Sequence, residues 1–143
     1  MKSIYHLFTT LLLLGFSLFS NTAKAQTKIN LEGKSFSTMV TSLCAETFPP
    51  DPCAGYTDYM KLNFKKERVE IVNERVQCNK TRKNVLVSKW SQLKGNQIKI
   101  DRLNYEGSPF IAGNILVLKN NQLTGKHNTR FTQDFVFEPV SVK

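Results

Sequence analysis

From residue 34 onward the chain alternates apolar and polar residues in short runs separated by turn formers. That is the pattern of antiparallel strands that bury one face each. The spacing predicts strands over 34–43, 57–64, 68–77, 84–93, 97–103, 114–118, 122–127 and 130–138. Met60, Leu62 and Phe64 share one face of the second, and Ile98 and Ile100 alternate with Lys99 and Asp101 in the fifth. In the third, the apolar positions change phase, from Val69 and Ile71 to Val72 and Val76, and a β-bulge near Asn73 is the expected cause. In the fourth, Leu86 and Trp90 face one way and Val85 and Val87 the other; in the eighth, Phe131, Phe135 and Phe137 alternate with Thr132, Asp134 and Glu138.

The connections read as turns. Residues 48–53 hold three prolines, which lack backbone donors, so they form a rigid loop rather than a central strand. Lys65-Lys66-Glu67 is a charged turn, Asn79 to Lys83 a basic polar loop, and Lys94-Gly95-Asn96 and Asn120-Asn121 are tight turns. Asn104 to Gly113 carries the least pattern and reads as a lid-like loop or a distorted edge. No segment has convincing helical periodicity. The fold class expected is all-β: an antiparallel up-and-down meander of about eight strands closing into a small barrel, with a β-sandwich as the alternative. The candidate interior is Phe36, Met60, Leu62, Phe64, Leu86, Trp90, Ile98, Ile100, Phe131, Phe135 and Phe137, either as a filled core or as the lining of a pocket.

The N-terminus changes where this domain is expected to work. Lys2 precedes an apolar run from Leu7 to Phe19, and Ala23-Lys24-Ala25 is a small-x-small cleavage site. Residues 1–25 therefore read as a cleaved secretory signal peptide, and 26–143 as one barrel domain that is periplasmic or secreted, with no transmembrane anchor and no lipid-bearing cysteine beside the cleavage site. Those 118 residues carry 18 basic and 11 acidic side chains, a net +7. The excess suits an acidic surface or ligand, although a solvated lysine face accounts for it as well. Basic residues and aromatics do not interleave into a stacking platform, so nucleic acid is not an expected partner. A monomer is expected.

Leu31-Glu32-Gly33-Lys34-Ser35-Phe36 near the start, and Asn114-Ile115-Leu116-Val117-Leu118 with Asn121-Gln122-Leu123-Thr124-Gly125 near the end, together with the meander, resemble the small secreted bacterial lipocalin-like (calycin) β-barrel proteins. The chain departs from lipocalins proper in lacking Gly-x-Trp on the first strand: Phe36 follows Gly33 by three positions, and the only tryptophan is Trp90. The resemblance implies a barrel that holds a small apolar or amphipathic ligand at its mouth.

Up-and-down topology places the ends of the first, third, fifth and seventh strands at one rim. Cys44, Cys53, Cys78 and His127 all fall there. In an oxidising compartment two of the three cysteines pair. Cys44–Cys78, tying two strand ends across the mouth, is the expected bridge; Cys44–Cys53, closing the proline loop, is the alternative. Zinc on three cysteines and His127 is disfavoured by export, and neither metal nor cofactor is expected. The same rim collects Lys80, Arg82, Lys83, Arg102, Lys126 and Arg130, with Glu46, Asp51, Asp101 and Glu106 offsetting part of the charge. Lys80, Arg82, Arg102, Arg130 and Trp90 are the candidate ligand-binding residues. Residues 26–143 contain one histidine, and no nucleophile elbow, zinc-protease helix or phosphate loop occurs, so no catalytic residue is assigned. The expected function is an exported non-enzymatic binding protein. The alternative is a protein-interaction barrel such as an inhibitor of a lytic enzyme, against which a net positive charge weighs, because many lysozymes are themselves basic.

Overall fold

In the computed structural model, residues 28–51, 53–103, 111–127 and 134–141 are described. The signal-peptide reading of residues 1–25, and the placements of Glu106, Arg130 and Phe131, lie outside them.

The strands are β1 (Ser35–Leu43), β2 (Tyr56–Phe64), β3 (Arg68–Gln77), β4 (Lys80–Gln92), β5 (Gln97–Ile100), β6 (Ile111–Lys119), β7 (Gln122–His127) and β8 (Phe135–Pro139). Each pairs antiparallel with the next, and β8 returns to β1, so the eight-stranded meander closes into a barrel. There is no helix among the described residues. The tight turns are built as their residues dictate: Asn120 and Asn121 both take positive φ, 49° and 62°, as a two-residue hairpin between right-twisted strands requires.

Alternation decides what is inside. Phe36 on β1, Leu62 and Phe64 on β2, Val69 and Ile71 on β3, Ile98 and Ile100 on β5, Leu116 on β6, Leu123 on β7 and Phe137 on β8 are all buried, with Met60 beside them. Leu86, Trp90 and Phe135 pack partly buried against this core. Phe36, Phe64 and Trp90 form an edge-to-face chain, with ring centroids 5.9 and 5.5 Å apart. Trp90 Nε1 donates to the Lys65 carbonyl at the β2–β3 turn, 3.0 Å away. The segment before β1 covers the same end: Leu31 is fully buried, and the Gly33 N–H donates to Phe64 O. That end of the barrel is shut.

Two local expectations are corrected. Strand β3 has no bulge near Asn73. It runs in unbroken register from Thr57↔Val76 to Phe64↔Val69 on one side and from Arg68↔Lys89 to Gln77↔Lys80 on the other. The apparent change of phase arises because Asn73 and Arg75 continue the inward face while Val72 and Val76 point outward. Lys80–Lys83 is strand rather than loop, since Cys78 (φ 51°) and Asn79 complete the turn by themselves. Real irregularities occur at Val40, which the β1–β2 ladder skips, and in β6, where Gly113 and Asn114 take positive φ and the register against β7 shifts.

The strands are unequal in reach. Strand β5 pairs with β4 only at Trp90, Ser91 and Gln92. Among the described residues, the β1–β4 strands therefore run further toward the open end, where β1, β3, β5 and β7 finish, than β5–β8 do.

Phe64→Ala should cost about 3–5 kcal/mol of stability, because it removes the middle ring of the aromatic chain and leaves a cavity beneath Trp90. Urea unfolding followed by the fluorescence of this single tryptophan measures it. A loss below about 1 kcal/mol would mean that the shut end is not packed as described.

Candidate binding face at the open end

Above the apolar core the inward face turns polar, row by row. Met60, Asn73 and Asn84 lie opposite one another on β2, β3 and β4. The next row toward the open end is Thr41, Asp58, Arg75 and Arg82, followed by Gln77 opposite Lys80.

Asp58 and Arg75 meet in the closely spaced kind of antiparallel pair, in which neither residue's backbone bonds the other and side chains approach. Arg75 Nε and Nη2 donate to the two Asp58 oxygens at 2.7 and 2.8 Å. Asp58 is fully buried. The Arg75 guanidinium lies 3.9 Å from the centre of the Tyr56 ring, which caps its outer side. Arg82 stands directly opposite Arg75 with Lys80 beyond it, both exposed at the rim. Neither Arg82 nor Lys80 makes an ion pair with a described residue. Like charges opposite each other across a sheet are unfavourable, and Asp58 neutralises only one of the two arginines. Among the described residues the face carries more positive than negative charge. Beneath it, Asn73 Oδ1 is buried and has no hydrogen-bond partner.

Of the five residues expected to bind a ligand, the fold brings two together: Lys80 and Arg82 share the inward face of β4. Arg102 lies elsewhere. Its N–H donates to Ser88 Oγ, eight residues along β4 from Lys80, about 26 Å at about 3.3 Å per residue. Trp90 lies at the shut end against Phe64, so it cannot line the mouth. Lys126 closes β7 beside His127, whose ring stacks on Phe135 at 5.1 Å. Asp58, Asn73, Arg75 and Tyr56 were not expected here. Continuing the inward parity of Val69 and Ile71 through residues 73 and 75, without a bulge, would have found two of them.

The disulfide also differs from expectation. Cys53 and Cys78 are bridged, with Cα atoms 5.2 Å apart, and Cys44 is free and exposed. Neither Cys44–Cys78 nor Cys44–Cys53 forms. Sharing a rim is not adjacency: β2 lies between β1 and β3, so their ends are two strand spacings apart, about 9.5 Å, beyond what a disulfide spans. Cys53 precedes β2, the immediate neighbour of β3. The loop turns it that way. Thr47 Oγ1 accepts the Asp51 N–H, Asp51 Oδ1 accepts the Cys53 N–H, and the Cys53 carbonyl accepts from Gln77 Nε2 at 3.1 Å. Gly55 allows this tight return, since a Cβ there would run into the Leu43 carbonyl. The bridge also removes two of the four ligands of the Cys₃His zinc alternative.

The outer face of the same strands carries a different pattern. Glu74 accepts from Lys61 Nζ at 2.8 Å and lies 3.6 Å from Lys83 Nζ. The Lys61 hydrogen bond holds its carboxyl below the ordinary value of 4.5 against the opposing effect of burial, and the charges of Lys61 and Lys83 act in the same direction as that bond. Val85 and Val87 stand exposed beside this ladder.

Comparison with known protein families, with curated proteins and with solved structures returns no match.

Because the native pKa of Glu74 is depressed, its stabilisation is fully present above the ordinary carboxylate value and is lost as pH falls through the native one. Glu74→Gln should accordingly flatten the acid limb of a urea-midpoint series taken from about pH 6 to about pH 3. An unchanged slope would exclude the Lys61–Glu74 bond as a contributor. Peptide mapping without reductant should recover Cys53 linked to Cys78 and alkylated Cys44. Cys78→Ser should cost about 3.5 kcal/mol, as a closed loop with a sequence separation of 25 implies.

Proposed function

We propose that the protein is a non-enzymatic binding barrel of lipocalin-like character that takes an anionic, amphipathic small molecule at its open end. The observation that supports it is Asn73 Oδ1, a buried acceptor without a partner, set under the cationic rows of Arg75, Arg82 and Lys80. Leaving such an atom unsatisfied costs about 1–3 kcal/mol, and folded proteins hold few of them. A ligand donor would satisfy it. Arg82 and Lys80 would take the anionic head and a hydroxyl one row deeper would donate to Asn73, with the apolar tail left at the mouth rather than in the core. The closed eight-stranded scaffold suits such a mouth. Export, read from residues 1–25, belongs to the same proposal, since an exported carrier meets free amphiphiles.

The space between Thr38, Val40, Met60, Ile111, Phe135 and Phe137 is too tight for a water molecule, so the aromatics there act as core. The reading accordingly places the head at the polar rows and asks no deep apolar chamber of the shut end.

Calorimetric titration with laurate and with β-hydroxylaurate tests the arrangement. The hydroxylated acid should bind more tightly. Arg82→Glu should weaken both by at least about tenfold. Asn73→Leu should erase the preference for the hydroxylated acid while raising stability by about 1 kcal/mol, because it removes an unsatisfied polar atom. Equal binding of the two acids by the unmodified protein, or none, would overturn the reading.

A further inference from the structure

Strand β4 has a second feature, on its edge rather than its inward face. Strand β3 takes one side along its whole length, but on the other side β5 reaches only Trp90, Ser91 and Gln92. Beyond them Asp101 N–H donates to the Lys89 carbonyl, and Arg102 N–H to the Ser88 side chain. From Val87 back to Lys80 no described residue pairs with this edge.

Which groups are left follows from alternation. The Trp90 N–H points to the β3 side, where it donates to Glu67 O, and the Lys89 carbonyl points away from it. Backbone direction alternates along a strand, so Arg82, Asn84 and Leu86 bond to β3, while the N–H and C=O groups of Thr81, Lys83, Val85 and Val87 face the open edge. The side chains of those same residues lie on the outer face, where Val85 and Val87 are 56 % and 54 % exposed. The edge is therefore apolar at the Val85–Val87 end and cationic at the Lys80–Lys83 end. The thirteen residues of β4 contain Lys80, Arg82, Lys83 and Lys89 and no acid.

We propose that this edge accepts an extended acidic peptide segment of a partner protein as an added strand, with apolar residues beside Val85 and Val87 and a carboxylate beside Lys83 on the outer face. Main-chain bonds to Thr81, Lys83, Val85 and Val87 supply the attachment, and charge selects the occupant. The same charge turns away a second copy of the chain, because in any register it brings the same cations and no acid to the seam. The edge is distinct from the inward-facing ligand rows, and its backbone donors take no part in them.

The probe is an end-blocked Val-Thr-Val-Thr-Glu-Thr-Glu-Thr peptide, with lysine in place of glutamate as its counterpart. Amide hydrogen exchange is read residue by residue by NMR at low salt on the oxidised protein. Protection should rise at Thr81, Lys83, Val85 and Val87 and stay unchanged at Arg82, Asn84 and Leu86. The lysine peptide should have no effect. Val85→Pro removes one edge donor without touching the β3 ladder and should weaken the glutamate peptide about five- to tenfold. Lys83→Glu should weaken it by a similar factor through charge alone. Unchanged protection, equal binding of both peptides, or the same four amides already protected in a concentration-dependent dimer would overturn the proposal. Loss of β-hydroxylaurate binding would leave it standing.

Discussion

The barrel depends on a very short seam. Among the described residues, strands β1 and β8 meet only at Phe36↔Pro139 and Ser37↔Glu138, extended by the Val140 N–H donating to Ser35 O at 2.8 Å. Proline cannot donate to a ladder, so this contact closes the sheet with few bonds of its own. What holds it is the side-chain layer beneath: Phe36 and Phe137 are both fully buried. Closure of eight strands fixes the inside and outside of every strand at once, because the side-chain period is two and a slip of one residue would turn a whole face over.

From that constraint the polarity of the interior follows. At the shut end the inward positions are Phe36, Phe64, Val69 and Ile98, and the segment around Leu31 covers them. Toward the open end the same columns continue as Asp58, Asn73, Arg75, Asn84 and Arg82. The Asp58–Arg75 pair combines two hydrogen bonds with the face of Tyr56, which is how a fully buried carboxylate is tolerated there. Among the described residues, a single wall thus passes from hydrocarbon to ion pair to a cation without an ion-pair partner within a few residues.

The unequal reach of the strands produces the second surface. Because β5 is short and β4 long, the upper part of β4 pairs with β3 and, on its other side, with no described residue. Proteins commonly blunt exposed edges with lysine. Lys83 stands on this edge in that position, and the proposed acidic strand would meet it there.

The strands themselves were legible in the chain, because alternation between faces is written locally: Ile98-Lys99-Ile100 or Phe135-Val136-Phe137 needs no partner to be read. Where the inward face turns polar the signal failed. Asn73 and Arg75 looked like a change of phase, and Lys80–Lys83 looked like loop, since nothing in their own chemistry marks them as inward or paired. The strand order and the shared rim of Cys44, Cys53, Cys78 and His127 also followed from the sequence. Only the tertiary structure decided that Cys53 meets Cys78, that Arg102 and Trp90 sit far from Lys80, and that the upper edge of β4 pairs with no described residue. Those outcomes depend on distance across neighbouring strands and on how far each runs past the next. Both are set by closing the sheet, and no local pattern of residues records them.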